Sequence, residues 1–145
     1  MYMKETIHKV SAGGVVIKDG KVLTIKWLSM NTVEFPKGTI ESGESVPDTA
    51  IREVKEETGY DVEIIDDLGD ITYEVNWKDV EHYIKTVTFF LMRLANDDRP
   101  VPNLQDGEDY ENNWLSIDEA KLQLSHDDSR EILDRALNRT KFILN

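Results

Sequence analysis

The sequence predicts an α/β fold in which helices cover a β-sheet. Runs rich in β-branched and aromatic residues open the chain and recur in its middle, a helical pattern lies between them, and the C-terminal part is again helical. Strands and helices mixed in this order are typical of helices packed on a sheet. The 145 residues contain no repeat, low-complexity tract or linker. We therefore expect one domain.

The predicted strands begin with a β-hairpin over Val10–Ile25. Its two β-rich runs are separated by Asp19-Gly20, and Asp-Gly in such a place is a strong turn signal. Two further strands are predicted at Val62–Val75 and His82–Leu94, the second of which is rich in β-branched and aromatic residues. The next segment, Asn96–Glu111, is polar and contains two prolines, which indicates a loop.

The predicted helices carry recognisable end signals. The first covers Val46–Thr58, because Ser45 and Asp48 have the spacing of a capping box, with Asp in place of Glu, and Gly59 stands where helices commonly end. Near the C-terminus, Ser116–Glu119 is a capping box that predicts a short helix. A longer helix is predicted after it from apolar residues that repeat on one face: Ile132, Leu133, Ala136 and Leu137.

The composition restricts the classes of partner. The formal net charge is −12, and a surface of this sign repels nucleic acid and anionic membranes at long range. The start of the chain lacks the apolar run of a signal peptide, and the most apolar stretch, Val87–Met92, is too short to cross a bilayer. The absence of cysteine excludes disulfides and thiolate metal sites. We expect a cytoplasmic protein that binds neither nucleic acid nor membranes.

The most informative feature is an acidic cluster on the first predicted helix. Glu53, Glu56 and Glu57 are separated by steps of three and four residues, so they project from one helical face. Two carboxylates at this spacing repel by roughly 3 kcal/mol at an effective dielectric near 20. The cluster is either a solvated acidic face or a set of oxygen ligands for Mg²⁺ or Mn²⁺, which would relieve the repulsion. The neighbouring apolar residues Ala50 and Val54 favour the second interpretation, because they place the cluster beside the buried stripe.

The segment Gly38–Tyr60 resembles the Nudix box, G-x5-E-x7-R-E-U-x-E-E-x-G-U, where U is apolar or aromatic. All nine specified positions match without a gap, and Trp114 with Glu119-Ala120 resembles the later W-x4-E-A segment of the same family. A chance match of this length is on the order of one in a million at ordinary residue frequencies. The nine matching residues are Gly38, Glu44, Arg52, Glu53, Val54, Glu56, Glu57, Gly59 and Tyr60.

This resemblance implies a specific fold and site. Residues 1–145 would form a single Nudix hydrolase domain, an α/β/α sandwich with a mixed β-sheet between helices, which cleaves pyrophosphate linkages with a divalent metal ion. By position in the motif, Glu53, Glu56 and Glu57 would bind Mg²⁺ or Mn²⁺, and the carbonyl of Gly38 would add a further ligand. Arg52 would orient the glutamates and would itself be braced by Glu44.

The general base of the reaction is expected outside the motif. In the resembling family it varies and often comes from a loop, which here is the acidic segment Asp106–Glu111. We favour Glu108, six residues before Trp114, with Glu111 as the second choice. A solvated acidic turn without a catalytic role is the competing interpretation for each of them.

The substrate is expected to be a nucleotide-type small molecule. Phe35–Gly38 and Ile84–Leu91 resemble segments of the Nudix subgroup that cleaves dinucleoside polyphosphates such as diadenosine tetraphosphate, which implies that Lys37 and Lys85 contact phosphates. Stacking on a base is assigned to Tyr73 or Tyr83, with Trp77 as a further candidate, although each could be an ordinary strand residue. The alternatives are a nucleoside triphosphate, including oxidised dGTP, and a Nudix-fold binding module without catalysis.

Overall fold

The computed structural model describes residues 5–77, 81–98 and 109–143. Within them, a sheet of seven strands is combined with three helices. The strands are β1 (Glu5–Lys18), β2 (Lys21–Trp27), β3 (Thr32–Glu34), β4 (Lys37–Thr39), β5 (Val62–Trp77), β6 (Glu81–Leu94) and β7 (Tyr110–Ser116). The helices are α1 (Val46–Thr58), α2 (Ile117–Gln123) and α3 (Asp127–Ile143).

Strand β1 organises the sheet. It runs parallel to β6 from the pair Glu5 and Glu81 to the pair Val16 and Met92. On its other side β1 pairs antiparallel with the short strand β4, while β5 and β6 form a long antiparallel hairpin. The end of β1 turns into β2, which pairs antiparallel with both β3 and β7. The sheet is therefore mixed, as the resemblance implied.

Both faces of the sheet are covered by helices. Consecutive residues of a strand point to opposite faces, and here Val15 packs in the cluster that contains α3, whereas Val16 packs in the cluster that contains α1. Leu91 and Met92 divide in the same way on β6. This explains why the second half of each strand contains a run of consecutive buried residues rather than an alternating pattern. The predicted α/β/α sandwich is confirmed.

The predicted elements are confirmed at their centres and differ at their ends. The first helix covers the residues that the caps predicted, and the hairpin and the two long strands are present. The short strands β3, β4 and β7 were not predicted. The predicted loop over residues 96–111 is wrong at its end, because Tyr110 and Glu111 begin β7. Strand β7 contains two asparagines, and it exists because its backbone pairs with β2, far away in the sequence.

A membrane-spanning helix is not present in the described part of the chain, where every helix is too short or too polar for that role.

Candidate active site

Helix α1 holds the acidic cluster against β4. The Ser45 side chain accepts a hydrogen bond from the Asp48 N–H at 3.2 Å, which caps the first turn. The helix ends at Gly59, whose φ of 80° lies in the left-handed region that favours glycine. Its apolar side, with Ala50 and Val54 fully buried, packs against the sheet. Glu53 and Glu57 lie at the border of that buried side.

Arg52 donates hydrogen bonds to several carboxylates of the cluster. Its Nε and Nη2 donate to the two oxygens of Glu44 at 2.7 and 2.9 Å, a bidentate pair. Nη1 donates to Glu53 at 2.8 Å and to Glu56 at 3.2 Å, and Nη2 also donates to the Thr39 carbonyl at 3.0 Å. The guanidinium thus fixes three carboxylates at once and joins α1 to β4. The planar guanidinium of arginine has donors that point in these directions at once, whereas the single ammonium of lysine does not.

Glu44 pairs with Arg52, the contact that the resemblance implied. The Thr49 hydroxyl donates to its Oε1 at 2.6 Å, in addition to the pair with Arg52. The hydrogen bonds from Arg52, above all, and then from Thr49 lower the pKa of Glu44 to about 2. Glu44 therefore remains a carboxylate at neutral pH and holds the guanidinium in place.

Glu53 lies against the backbone of Gly38. A Cβ added at Gly38 would be 2.1 Å from the Glu53 carboxyl carbon, so any larger residue there would displace this carboxylate from its place. The Glu53 side chain is 14% exposed, and burial raises the pKa of this carboxyl against the opposing effect of Arg52. The contact brings Gly38 and Glu53, both predicted metal ligands, together.

Glu57 is the most buried carboxylate of the cluster. Its Oε1 accepts a hydrogen bond from the Lys37 backbone N–H at 2.8 Å. Burial, first of all, raises the pKa of Glu57 to about 8, the Lys37 N–H opposes the shift, and the nearby charges of Glu53 and Glu34 add to it. A buried carboxylate of this kind is stabilised as an anion only by additional positive charge. The interpretation of the cluster as a solvated acidic face does not fit Glu53 or Glu57.

The donor set fits a hard divalent cation. In Glu53 and in Glu57, one carboxylate oxygen accepts a hydrogen bond from a protein N–H. The second oxygen of each has no hydrogen-bond donor among the described residues. Glu56 is 56% exposed and turns toward Arg52. Across residues 5–77, 81–98 and 109–143, no three histidine, aspartate or glutamate side chains converge as a preformed metal site. Oxygen ligands of this type are those that Mg²⁺ and Mn²⁺ prefer.

Three of the residues assigned to the substrate, Tyr73, Tyr83 and Lys85, lie along one face of the β5–β6 hairpin. Tyr73 pairs with Lys85, and Val75 pairs with Tyr83 in the next position of the same face. Tyr73 also lines a cavity together with Lys37. Tyr83 lies further out, where the Lys9 ammonium is 5.4 Å from its ring centre. The structure therefore places Tyr73 and Lys37 together and Lys85 beside them, with Tyr83 at the outer end.

Glu108 and the side chain of Trp77 lie outside the described residues. Glu111 is described and exposed, and it is the neighbour of Asn112 on β7. Since the Asn112 side chain is directed toward α1, Glu111 points to the opposite face of the strand, away from Glu57.

Two contributors to the site lie outside the motif and were not predicted. The Asn112 side-chain amide donates to the Glu57 carbonyl at 3.2 Å and ties β7 to the end of α1. Glu34 lies in register with Asn112 across β2, because both pair with Ile25. Neither residue belongs to the motif, and only the pairing of β3 and β7 with β2 brings them to α1. For Glu34, its place just before Phe35–Gly38 is the one hint that the sequence offers.

Comparisons with known proteins agree with this geometry. The NUDIX domain family matches residues 7–136. The chain is 34% identical over 147 residues to the putative mutator protein MutT4 of Mycobacterium tuberculosis, covering 90% of this chain and 55% of that protein. It is 30% identical over 126 residues to Nudix hydrolase 5 of Arabidopsis thaliana, covering 82% and 40%, respectively. The chain thus spans about half or less of the length of these relatives.

A solved structure shows the same fold. The Nudix hydrolase from Nitrosomonas europaea aligns with a TM-score of 0.73 at 21% identity, covering 90% of this chain and 89% of that one. At this identity the likeness concerns the fold alone, whereas the family match extends over nearly the whole sequence and includes the helix with its glutamates and arginine. This chain belongs to the Nudix family.

Proposed function

We propose that this protein is a divalent-metal-dependent pyrophosphohydrolase that acts on a nucleotide-type substrate. The observation that carries the proposal is the arrangement of Glu53 and Glu57. Each carboxylate is fixed through one oxygen and is largely withdrawn from water, and its second oxygen has no donor among the described residues. Glu53, Glu57, Glu56 and the Gly38 carbonyl are the groups that would hold Mg²⁺, or Mn²⁺ in its place.

The chemistry follows from charge. A bound divalent ion would neutralise phosphate oxygens and lower the pKa of water. In hydrolysis, the oxygen of water bonds to one phosphorus, the bridging P–O bond breaks, and the freed phosphate leaves. Glu108 is our proposed acceptor of the water's proton. Arg52 and Glu44 hold the carboxylates in place, and Lys37 supplies positive charge beside Glu57.

Removal of divalent metal is expected to abolish turnover. We expect hydrolysis of a nucleotide substrate to stop after treatment with a chelator and to return with excess Mg²⁺ or Mn²⁺, because the carboxylates alone repel phosphates. Product release measured by chromatography and Mg²⁺ binding measured by calorimetry check this. Full turnover in metal-free buffer would contradict the mechanism. Metal and nucleotide binding without turnover would instead support a binding module that lacks catalysis.

For the substrate, we propose a dinucleoside polyphosphate, such as diadenosine tetraphosphate, with a nucleoside triphosphate as the second candidate. The support is the row formed by Tyr73, Lys85 and Tyr83. Lys85 pairs with Tyr73, and Tyr83 lies two residues before Lys85 on β6, roughly 7 Å away at the usual rise of a strand. A phosphate chain that begins at Lys37 and continues past Lys85 would place a second base near Tyr83.

The dinucleotide proposal is tested by comparing substrates that carry the same base. We expect kcat/KM to be higher for diadenosine tetraphosphate than for ATP, and Lys85→Ala to reduce that ratio about tenfold by removing one charge-assisted phosphate contact. The matched control is Lys18→Ala. Lys18 is the last residue of β1 and forms an ion pair with Asp97 at 3.2 Å. If ATP is preferred and Lys85→Ala changes nothing, the triphosphate candidate replaces the dinucleotide.

A further inference from the structure

Glu57 lies in the last turn of helix α1. It is the last residue but one of the helix, which ends at Thr58. The carbonyls of a last helical turn have no N–H partner within the helix, and helix ends open more readily than helix centres. Glu53, in contrast, lies a full turn further inside. A candidate metal ligand at the position of Glu57 therefore needs contacts from elsewhere in the fold to keep its orientation.

Two strands hold Glu57, one by its side chain and one by its main chain. On β4, the Lys37 backbone N–H donates to the carboxylate Oε1 at 2.8 Å. On β7, the Asn112 Nδ2 donates to the main-chain carbonyl at 3.2 Å. Strand β4 pairs with β1 and strand β7 pairs with β2, so the two contacts come from separate parts of the sheet. A carbonyl can only accept, which fixes the orientation of the Asn112 amide.

The same face of β7 also contacts the segment that follows the helix. Side chains two residues apart on a strand share a face, so Trp114 lies on the face of Asn112. The Trp114 Nε1 donates to the Tyr60 hydroxyl at 3.1 Å, and the two rings pack edge to face with their centres 5.6 Å apart. Trp114 thus supports the chain after α1, whereas Asn112 reaches Glu57 itself.

Packing does not explain the asparagine at position 112. With its amide nitrogen facing Glu57, the Asn112 Oδ1 is buried and has no hydrogen-bond donor among the described residues. A buried acceptor without a donor destabilises a folded protein. A leucine has a similar branched shape and would fill the same space without this oxygen. Side chains that lower stability in this way are expected where they serve a function.

We propose that Asn112 is a positioning residue of the metal site. It fixes the last turn of α1 through the Glu57 carbonyl, so that the Glu57 carboxylate keeps the orientation in which it would bind a divalent cation. The inference rests on the proposed function in taking Glu57 as a metal ligand. Residues that hold a metal ligand in place typically contribute about 10- to 100-fold to metal affinity or activity. Asn112 acts through Glu57 and needs no contact with the substrate.

The test is Asn112→Leu, which removes the Nδ2 donor and the unpaired Oδ1 together. We expect the dissociation constant for Mg²⁺, measured by calorimetry on the full chain without nucleotide, to rise about tenfold. The melting temperature in metal-free buffer should stay close to that of the wild type, because one unpaired polar atom is removed while the Glu57 carbonyl loses its donor. A lower melting temperature with unchanged Mg²⁺ affinity would overturn the inference, since that is the pattern of a purely structural residue.

A second variant and a matched control complete the binding experiment. Asn112→Ser is smaller and adds no apolar bulk, so it gives the same comparison if Asn112→Leu does not fold. The control is Asn113→Leu, the same exchange at the next residue, whose side chain points to the opposite face of β7 and donates to Glu111 at 3.4 Å. Its Mg²⁺ affinity should equal that of the wild type. An equal loss in the control would overturn the specific role of Asn112.

Kinetics separate this inference from the proposed function. With a nucleotide substrate, Asn112→Leu should need about tenfold more Mg²⁺ to reach half of its maximal rate, while KM for the nucleotide at saturating Mg²⁺ is unchanged. If the wild type hydrolyses no nucleotide but Asn112→Leu still weakens Mg²⁺ binding, the proposed activity fails and the positioning role stands. If nucleotides are hydrolysed and both proteins bind Mg²⁺ equally, the reverse holds. A wild-type chain that binds no Mg²⁺ would overturn both.

Discussion

Replacing Glu57 with glutamine is expected to lower kcat for every pyrophosphate substrate by about a thousand-fold or more. A metal ion contributes several kcal/mol of charge stabilisation in the transition state, and each 1.4 kcal/mol corresponds to about a factor of ten in rate. Glutamine keeps an oxygen that accepts from the Lys37 N–H but removes the negative charge that would bind the ion. The loss should not depend on the base, because a metal ion at Glu57 would act on the phosphates.

A stability measurement distinguishes this effect from unfolding. In metal-free buffer we expect the free energy of unfolding of Glu57→Gln to be equal to or higher than that of the wild type, because an amide costs less to bury than a carboxylate. Added Mg²⁺ should raise the melting temperature of the wild type and leave that of the variant unchanged. The matched control is Glu63→Gln, an exposed carboxylate on β5 that pairs with Arg93. Turnover by Glu57→Gln at the wild-type rate would remove Glu57 from the metal site.

The second large effect is expected for Arg52→Lys. Lysine keeps the charge but cannot donate in two directions to Glu44 and still reach Glu53. We expect kcat to fall about 10- to 100-fold while KM changes less, because on our proposal Arg52 would hold the carboxylates that bind the metal and would not contact the substrate. The free energy of unfolding should fall by about 1–3 kcal/mol through the lost charge-assisted hydrogen bonds.

The control for Arg52→Lys is Arg93→Lys. Arg93 is 66% exposed and pairs with Glu63 on the surface, where exchanging one cation for another typically costs well below about 1 kcal/mol. Its kinetic constants should match those of the wild type. An unchanged kcat in Arg52→Lys, together with a loss of stability, would show that Arg52 is a structural residue only.

The sequence by itself determined the elements whose signals are local. The caps Ser45 and Gly59 defined α1 because capping depends on neighbours three or four residues away. The spacing of Glu53, Glu56 and Glu57 determined their common face for the same reason. The match of nine motif positions determined the family, and with it the expected roles of Arg52 and Glu44, whose bidentate pair is present.

Only the tertiary structure decided which groups meet across the sheet. Strands β3 and β7 are too short or too polar to be recognised in the sequence, and they form because both pair with β2. That pairing brings Asn112 to the Glu57 carbonyl and Glu34 to the same face, and the packing of α3 adds Asp128 to the cavity. These contacts join residues separated by dozens of positions, so no local periodicity encodes them. Burial is collective in the same way: it raises the pKa of Glu57 to about 8, because the surrounding elements together exclude water.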